Sequence, residues 1–355
     1  MAKLNQDKII LITGINGYLA SITGLQVLQK GYTLRGSCRS RDRVQNLLNG
    51  GFKKYASQIE IVEVPDMTVP GAFDEAVKGV HAILHMAAPV INKASKPSEL
   101  IRPTVDGAVG ILNSAFAHAG PQLASLIFTS SAAAIINPEA KPPHTYNDES
   151  WNEVHEAQAA ELGEDASLYA AYPAGKIGAE RALWAFRESD KPSFAITTVH
   201  GAIGTGPPVH LPSSPADLPF TIQPVYRALT GTPGAGPQES IKKMIGTTPY
   251  VDIRDLAGVH IWAFEHPEQA DGQRYLAIAG HGAKQALYDT LRAAYPERRD
   301  VIVEGEPGVG YQKDFAFEED GVRFDSSKTV RETGMKWIGY DQSVLDTAKA
   351  FEAYL

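Results

Sequence analysis

Cysteine is almost absent from this sequence, in which Cys38 is the only one among 355 residues. A disulfide within the chain is therefore excluded, and this cysteine content fits a reducing compartment. The sequence also lacks an apolar run of the roughly 18 residues that a membrane span needs. Its polar start, Met-Ala-Lys-Leu-Asn-Gln-Asp-Lys, has no apolar core of the kind found in signal peptides. These absences predict a cytoplasmic protein that has no membrane partner.

Positively charged residues are outnumbered by acidic ones: the sequence has 33 Lys and Arg and 41 Asp and Glu, which gives a net charge of −8. This balance disfavours a nucleic acid as partner. His81 and His85 are four residues apart, but they fall in a predicted strand with no cysteine or carboxylate at ligand spacing. We therefore expect no metal site. What is present is typical of a globular protein: 43% hydrophobic and 21% charged residues, in a chain long enough for two lobes.

Apolar segments that suit buried strands alternate with segments of helical spacing through the first 200 residues. The predicted strands are Ile9–Thr13, Tyr32–Arg39, Ile59–Val64, Val80–Ala88, Ser125–Ser131 and Phe194–His200. The predicted helices among them are Arg43–Leu48, Gly71–Lys78, Leu100–His118 and Tyr169–Ser189. This alternation predicts an α/β fold built of right-handed βαβ units, with a doubly wound parallel sheet of the Rossmann type and a smaller C-terminal substrate lobe.

Two segments interrupt this alternation. Asn137–Leu168 is acidic and contains Pro142-Pro143, which predicts a solvated surface insertion. Gly201–Pro249 is rich in proline and glycine and too long for a plain connector, which is typical of lids, binding loops or disordered segments. We expect it to be the mobile part of the substrate lobe. The predicted division is a cofactor domain of residues 1–200 and 251–280 and a substrate lobe of residues 201–250 and 281–355.

Later elements are predicted from the same patterns. A helix is predicted from about Tyr250 to His266, with Asp252 or Asp255 as its cap. A strand follows at Arg274–Ala279, and amphipathic helices are predicted at Lys284–Ala294 and Ser343–Leu355.

A glycine-rich turn joins the first strand to a segment of helical spacing, Ser21–Lys30. Gly14 permits the tight turn, Gly17 lets the backbone approach a pyrophosphate, and Ala20 offers a small contact between helix and strand. Backbone N–H groups at the helix start would favour a phosphate. The spacing Gly-x-x-Gly-x-x-Ala lacks the middle glycine of the commoner fingerprint, and an ordinary strand-to-helix turn is the alternative. The flanking strand and helix favour a bound dinucleotide.

The second strand indicates which dinucleotide is bound. It has no acidic residue before Asp42, and Arg39 stands at its end, where an arginine accommodates the 2′-phosphate of NADP. Arg43 is one turn into the next helix and can share this charge-assisted contact. A solvated basic rim is one alternative, and Asp42 as a partner of the NAD ribose is another, although it comes late for that role. The sequence thus predicts NADP(H) as the cofactor.

Two later segments carry residues suited to proton transfer. Ser131 ends a predicted core strand, at the sheet edge where α/β proteins bind ligands. Tyr172 and Lys176 are four residues apart on a predicted helix and so share one face. A free tyrosine titrates near ~10, and a lysine cation nearby favours the phenolate and lowers that pKa. Pro173 is tolerable if it lies in the first helical turn. Alone, a Tyr-x-x-x-Lys pattern is common on surface helices.

Taken together, these motifs resemble the extended short-chain dehydrogenases/reductases over essentially the whole chain. The motifs are Thr13-Gly14-x-x-Gly17-x-x-Ala20, Thr129-Ser130-Ser131-Ala132, Tyr172-x-x-x-Lys176 and Tyr250-Val251-x-x-x-Asp255-x-Ala257, in the order of that family. Two further stretches, Gly31-Tyr32-Thr33-Leu34-Arg35-Gly36-x-x-Arg39-Ser40 and Asp148-Glu149-Ser150-Trp151-Asn152, look like the branch of dihydroflavonol reductases, cinnamoyl-CoA reductases and fungal NADPH-dependent aldehyde or carbonyl reductases.

The resemblance implies an NADPH-dependent reductase that converts an aldehyde or ketone into the alcohol, with hydride from C4 of the nicotinamide. Tyr172 would donate the proton, and Lys176 would lower its pKa and bind the nicotinamide ribose. Ser131, preferred over Ser130 because it precedes Ala132, would orient the carbonyl. The implied cofactor contacts are Asn16, Tyr18 and Leu19 at the pyrophosphate, Asp66 and Met67 at the adenine, Met86, Ala87, Ala88 and Pro89 after the fourth strand, and His200 near the nicotinamide. The expected partner is a small carbonyl substrate, and the expected state is a monomer or homodimer.

Several positions depart from the family pattern. Gly175 replaces the usual serine, Pro173 follows the tyrosine, and His200 replaces a proline. Ile136 stands where plant flavonoid reductases carry a substrate-binding asparagine, with Asn137 one place later, which argues against a flavonoid substrate.

Other functions remain open within this fold. One is an isomerase, epimerase or 3β-hydroxysteroid-type dehydrogenase, and another is a dinucleotide-sensing regulator. A sensor needs no proton donor, so the Ser131, Tyr172 and Lys176 set favours an enzyme.

Overall fold

The structure is a computed structural model that describes residues 5–89, 91, 94–233, 242 and 247–355. Within this part, the chain forms two compact units. The first unit comprises Met1–Ile135, Trp151–His200 and Ala257–Tyr275, and the second comprises Ile136–Ser150, Gly201–Leu256 and Leu276–Leu355. The assignment of the cofactor to one unit and of the substrate to the other stays a prediction. No helix of the described residues is both long enough and apolar enough to cross a membrane.

The strands and helices follow the alternation that the sequence predicts. The described strands are β1 (Ile9–Ile12), β2 (Thr33–Cys38), β3 (Ile59–Glu63), β4 (Ala82–His85), β5 (Ser125–Ser131), β6 (His144–Tyr146), β7 (Ala195–Gly201), β8 (Ile203–Thr205), β9 (Pro249–Asp252), β10 (Arg274–Ala277), β11 (Gly280–His281) and β12 (Val322–Phe324). The described helices are α1 (Tyr18–Gln29), α2 (Gln45–Asn49), α3 (Ile101–His118), α4 (Glu153–Leu162), α5 (Leu168–Asp190), α6 (Gln223–Thr230), α7 (Ile253–Glu265), α8 (Pro267–Ala270), α9 (Lys284–Ala294), α10 (Ser327–Thr333) and α11 (Tyr340–Phe351).

The central sheet confirms the predicted doubly wound fold. In the described chain it has seven strands in the order β10-β7-β5-β4-β1-β2-β3. β1 pairs in parallel with β2 and β4, and the pairs β2–β3 and β4–β5 are also parallel. The order therefore reverses between β1 and β4. Open α/β sheets bind ligands at this switch point, beyond the carboxyl ends of the strands.

The core of the first unit explains why its strands are continuous apolar runs. Leu11, Ile83 and Leu126 are fully buried on β1, β4 and β5, and they pack with Ile111 of α3 and Leu183 of α5. Strands covered by helices on both faces need apolar side chains throughout. The packing thus fixes the strand ends that carry the predicted site.

One predicted helix is wrong. Gly71–Lys78 forms consecutive turns, with the N–H of Asp74 bonded to the carbonyl of Gly71. Phe73, Ala76 and Val77 are buried and account for the helical spacing of apolar residues. Gly71 has a positive φ of 77°, in the left-handed region that ends rather than extends helices.

The interpretation of Asn137–Leu168 as a solvated insertion is also wrong in part, because the segment contains regular elements. β6 pairs in parallel with β12, and Tyr146 of β6 is buried within the second unit. In the first unit, α4 begins at Asn152, whose buried side chain accepts a bond from the N–H of His155. The acidic residues of the segment therefore surround ordered structure.

The second unit also contains the three-stranded sheet β11-β9-β8. The Asp252 carboxylate accepts a bond of 2.8 Å from the N–H of Arg254, which makes Asp252 the side chain that caps α7. Residues 201–233 include β8 and α6. Residues 234–241 and 243–246 of the predicted mobile segment lie outside the described residues, and its role in substrate binding stays a prediction.

Candidate functional site

The turn after β1 has the geometry that its glycines predict. Gly14 has a φ of +67°, and a Cβ there would come within 3.2 Å of the Ala87 backbone. Gly17 caps α1, and its N–H donates a 2.8 Å bond to the carbonyl of Gly14. Gly17 is exposed, and Asn16 and Tyr18 beside it are half-buried. Only glycine fits position 14, where the chain passes closest to the segment after β4.

Thr13 joins the two strands at the switch point; it is named in the glycine motif of the sequence analysis but given no role there. Its hydroxyl oxygen accepts bonds of 3.0 Å and 2.9 Å from the N–H groups of Met86 and Ala87. It lies 3.1 Å from Nδ1 of His85. Burial, with the charge of Lys176 second, lowers the pKa of His85 to about 3, so the ring is neutral and Nδ1 accepts. Thr13 thereby fixes the spacing between the ends of β1 and β4.

The residues at this edge fit a dinucleotide. The start of α1 presents backbone N–H groups that have no partner within the helix, as a pyrophosphate requires. Further half-buried residues flank the turn, namely Leu19 on α1 and Met86, Ala87, Ala88 and Pro89 after β4. The glycines of the turn and the backbone N–H groups at the start of α1 permit the close approach of a phosphate.

The structure places Asp66 and Met67 after β3. Asp66 accepts bonds from the N–H and hydroxyl of Thr68, and these bonds, with a smaller contribution from the charge of Arg39, lower its pKa. Met67 is half-buried and packs against Gly107 of α3. Both stay predictions as adenine contacts.

The basic residues after β2 differ in what they contact. Arg41 donates through its guanidinium to the carbonyl of Ile61 at 2.9 Å. Arg39 and Arg43 are exposed. No hydrogen bond of the Arg39 guanidinium is found among the residues that the structure describes, so its planar donor group is available to an anion.

Ser131, Tyr172 and Lys176 come together between the end of β5 and the start of α5. The Ser131 side chain lies close enough to the Tyr172 phenol to lower the pKa of that phenol. Lys176 is 4% exposed, and its Nζ donates a 2.8 Å bond to the carbonyl of Thr129 on β5. Its Nζ also lies 5.1 Å from the ring centroid of Phe128. One proton donor, one hydroxyl and one buried cation thus meet at the carboxyl edge of the sheet.

Burial has the largest effect on the pKa values of Lys176 and Tyr172. It lowers the pKa of Lys176 to about 8, against the opposing charge of Glu180. It also raises the pKa of Tyr172, and the nearby Ser131 side chain opposes that rise. The expected lowering of the Tyr172 pKa by Lys176 is therefore not found in the chain by itself. A phenol that keeps its proton is suited to act as an acid.

The backbone around Ser131 is tightly fixed. Its Oγ accepts a 3.2 Å bond from the N–H of Ala133. Asn152 donates 2.8 Å bonds to two carbonyls of the following turn, from its side chain to Ala133 and from its N–H to Ala134. Asn152, the last residue of the Asp-Glu-Ser-Trp-Asn stretch, thus supports the turn that follows Ser131.

Glu180 is a second residue that the sequence analysis missed, although it continues the spacing of four residues from Tyr172 and Lys176. It is fully buried on α5. Its carboxylate accepts bonds from Ser130, Thr198 and Arg274. A Tyr-x-x-x-Lys-x-x-x-Glu pattern could have drawn attention to it.

The structure accounts for the departures from the family pattern. A Cβ on Gly175 would lie 3.1 Å from the backbone of both Leu100 and Ile101, so a serine does not fit there. Pro173 is the sixth residue of α5 rather than a first-turn residue, as the sequence analysis assumed. It therefore removes one i→i−4 bond from the second turn. His200 is fully buried with its ring nitrogens close to protein groups, and its predicted nicotinamide contact stays a prediction.

Comparisons with known proteins agree with this geometry. The model of the NAD dependent epimerase/dehydratase family matches residues 10–279. An uncharacterized oxidoreductase of Schizosaccharomyces pombe is 31% identical over 348 residues, which cover 96% of each chain. The ketoreductase azaE of Aspergillus niger is 30% identical over 352 residues, again 96% of each chain. The crystal structure of yeast methylglyoxal/isovaleraldehyde reductase Gre2 complexed with NADPH has a TM-score of 0.82 at 25% identity and covers 98% of both chains. The chain belongs to the NAD dependent epimerase/dehydratase family.

Proposed function

We propose that this protein is an NADPH-dependent reductase that converts aldehydes or ketones into alcohols. The observation that carries the proposal is the contact between Ser131 and Tyr172, with Lys176 one helical turn away, at the carboxyl edge of the sheet. The relatives support it, since one is a ketoreductase and another is a methylglyoxal/isovaleraldehyde reductase solved with NADPH.

The cofactor is held by the switch-point residues. The turn from Gly14 to Gly17 and the start of α1 bind the pyrophosphate, and Arg39 binds the 2′-phosphate with help from Arg43. NADPH, when bound, supplies the hydride that reduces the carbonyl carbon. Recognition of the 2′-phosphate by Arg39 rests on its exposed, planar guanidinium at the end of β2.

The protein supplies the proton and the electrostatics. The Ser131 hydroxyl donates its one proton in a hydrogen bond to the carbonyl oxygen, while its Oγ still accepts from the N–H of Ala133. Tyr172 transfers its phenolic proton to the oxygen as negative charge develops there. The Lys176 cation stabilises the phenolate that remains. The raised pKa of Tyr172 keeps this acid protonated at neutral pH.

The test is the loss of reduced-nicotinamide absorbance with a panel of carbonyl compounds. The panel holds short aldehydes including isovaleraldehyde, the dicarbonyl methylglyoxal and several β-keto esters, each with NADPH and with NADH. We expect turnover with at least one class and a preference for NADPH. Binding of NADPH without turnover of any compound would indicate a sensor, and epimerisation of a sugar nucleotide without net consumption of NADPH would indicate an epimerase.

We assign cofactor binding to the first unit and substrate recognition to the second, and we place the protein in the cytoplasm. The presence of a single cysteine supports this location. A fluorescent fusion that accumulates inside an organelle would contradict it.

A further inference from the structure

A buried carboxylate lies directly behind the proposed catalytic group. Glu180 is fully buried on α5, one helical turn after Lys176. Its Oε2 accepts a 3.0 Å bond from the hydroxyl of Ser130, and its Oε1 accepts a 2.7 Å bond from Nε of Arg274. Nε2 of His200 lies 3.2 Å from the same Oε1. Glu180 therefore connects α5 to β5, β7 and β10.

His200 connects this carboxylate to the backbone of Ser131. The imidazole is fully buried at the end of β7, and its Nδ1 lies 3.2 Å from the carbonyl of Ser131. A carbonyl oxygen only accepts, so Nδ1 carries a proton and donates. The other ring nitrogen, Nε2, faces Glu180 and the hydroxyl of Thr198. The two ends of the ring thus contact the carboxylate and the catalytic strand.

Consecutive residues of β5 are each bound by a buried polar side chain. Lys176 binds the carbonyl of Thr129, Glu180 binds the hydroxyl of Ser130, and His200 binds the carbonyl of Ser131.

Stability alone does not explain such a network. Taking charged groups out of water costs several kcal/mol each, and well-packed apolar residues are often as stabilising as a buried ion pair. The hydrogen bonds of a buried polar network do, however, favour one arrangement of the groups that they join. The arrangement fixed here is that of the strand end that carries Ser131.

We propose that His200 and Glu180 are positioning residues of the reduction: His200 orients the backbone of Ser131, and Glu180 orients His200 and keeps Lys176 positively charged. This inference rests on the proposed reductase function. Both side chains are fully buried and bonded to protein groups, so we assign their effects to Ser131 and Lys176.

Other charged or titratable groups face this network. Lys176 faces Tyr172 and Glu180 on its own helix, and its charge reaches His85 on β4. Glu180 faces His200 on β7 and Arg274 on β10. Arg181 on α5 also interacts with the charge of Glu180.

The experiment measures separately the contributions of the two ring nitrogens of His200. In His200→Asn the amide nitrogen can take the place of Nδ1, whereas in His200→Gln it can take the place of Nε2. Glu180→Gln removes the buried charge and keeps the shape.

Asp271→Asn is the matched control. Asp271 also joins α5 to β7, by bonds from Arg187 and from the N–H of Ile196, but it has no contact with Ser131 among the bonds of the described residues. All four variants are first compared with the parent by thermal melting and by NADPH affinity.

We expect His200→Gln to lower kcat roughly tenfold, which corresponds to about 1.4 kcal/mol, with NADPH affinity close to that of the parent. His200→Asn, which keeps a donor toward Ser131, should lose less. In Glu180→Gln the alkaline limb of the kcat profile should move to lower pH, because the lost carboxylate charge normally raises the pKa of Lys176. Asp271→Asn should leave that limb in place.

Two results would overturn the inference: equal kcat in His200→Gln and Asp271→Asn, or an unmoved alkaline limb in Glu180→Gln. If Glu180→Gln does not fold, the comparison of the two His200 variants decides alone. Tyr172→Phe, measured beside them, tests the proposed function separately. Full turnover in Tyr172→Phe contradicts the catalytic assignment, whereas lost turnover with two indistinguishable His200 variants contradicts only the positioning role.

Discussion

At the scale of single residues, the Tyr172 hydroxyl has the most specific chemical task. In Tyr172→Phe the ring and its packing remain, and only the hydroxyl near Ser131 is lost. We expect turnover to fall by about 10²–10⁴-fold, the usual contribution of general acid catalysis, with NADPH affinity nearly unchanged. Steady-state kinetics and a fluorescence titration of NADPH measure both quantities. Turnover within threefold of the parent would show that another group donates the proton.

Arg39 determines the choice of cofactor in our proposal. Hydrogen bonds to charged groups contribute about 1.5–3 kcal/mol each, and at this exposed edge we take the lower end for the whole contact. Arg39→Ala should therefore raise the KM for NADPH roughly tenfold or more while that for NADH stays similar. Arg41→Ala is the control, since it removes the same charge from a side chain that is bonded to Ile61. An equal rise in KM for NADPH and NADH, or equal effects of Arg39→Ala and Arg41→Ala, would show that Arg39 is only part of a solvated basic rim.

Glu180 also predicts how stability depends on pH. Burial favours its neutral form, but the charges and hydrogen bonds of His200 and Arg274 outweigh burial and lower the pKa from 4.5 to about 2. A lowered carboxyl pKa stabilises the fold above the ordinary pKa, and this contribution is lost as pH falls toward the folded value. At full titration the contribution is of the order of 3 kcal/mol. Urea unfolding should show that the free energy of unfolding falls less between about pH 5 and 3 in Glu180→Gln than in the parent. An equal fall in the two proteins would contradict this.

The same residues show what local sequence patterns can and cannot reveal. Tyr172 and Lys176 were found because helical spacing brings positions i and i+4 together. Glu180 extends that spacing, yet its partners His200 and Arg274 come from strands far along the chain. Their meeting depends on the strand order of the folded sheet, which no local pattern encodes.

At the scale of elements, the contact between α5 and α3 depends on Gly175. A Cβ there would lie 3.1 Å from the backbone of Leu100 and of Ile101, and backbone atoms cannot rotate away. At Gly178 on the same helix a Cβ would meet only a Val105 methyl, at 3.0 Å. Alanine gains up to about 1 kcal/mol over glycine in helix propensity, whereas overpacking costs typically about 1–3 kcal/mol.

We therefore expect Gly175→Ala to lower the free energy of unfolding and Gly178→Ala to leave it level or raise it. Denaturant titrations of the two variants and the parent measure the difference. The expectation fails if Gly175→Ala is as stable as Gly178→Ala, since the backbone contact would then be able to relax.

Elements were predictable where burial and spacing agree. β1 and α1 follow from an apolar run, a glycine turn and helical spacing, and both were confirmed. Gly71–Lys78 has the apolar spacing of a helix but forms turns, because its buried residues pack onto the core from a backbone that starts in the left-handed region. Pro173 was assumed to lie in the first turn, although the predicted start at Tyr169 already makes it the fifth residue. In the structure it is the sixth residue of α5, which Ser167 caps by accepting from the N–H of Ala170.

At the scale of the whole molecule, the proposed function assigns cofactor binding to the first unit. The Gly14–Gly17 turn and the segment after β4 both lie at the switch point of this unit, at the carboxyl edge of the sheet. The second unit has its own sheets, β11-β9-β8 and β12-β6. The effect of a ligand on each unit can therefore be measured separately in the intact protein.

Hydrogen exchange with and without NADPH is that test. A ligand that binds only the folded state at about 100 times its Kd adds about 2.7 kcal/mol of stability, which slows exchange through the affected openings about 100-fold. Because the proposed cofactor contacts all lie in the first unit, we expect slowing in peptides that cover residues 14–20, 37–43 and 86–88. Peptides from residues 322–351 in the second unit should change far less. The same concentration of NADH, which lacks the 2′-phosphate, should slow residues 37–43 least of all. Equal protection of residues 322–351 would contradict the assignment of the cofactor to the first unit.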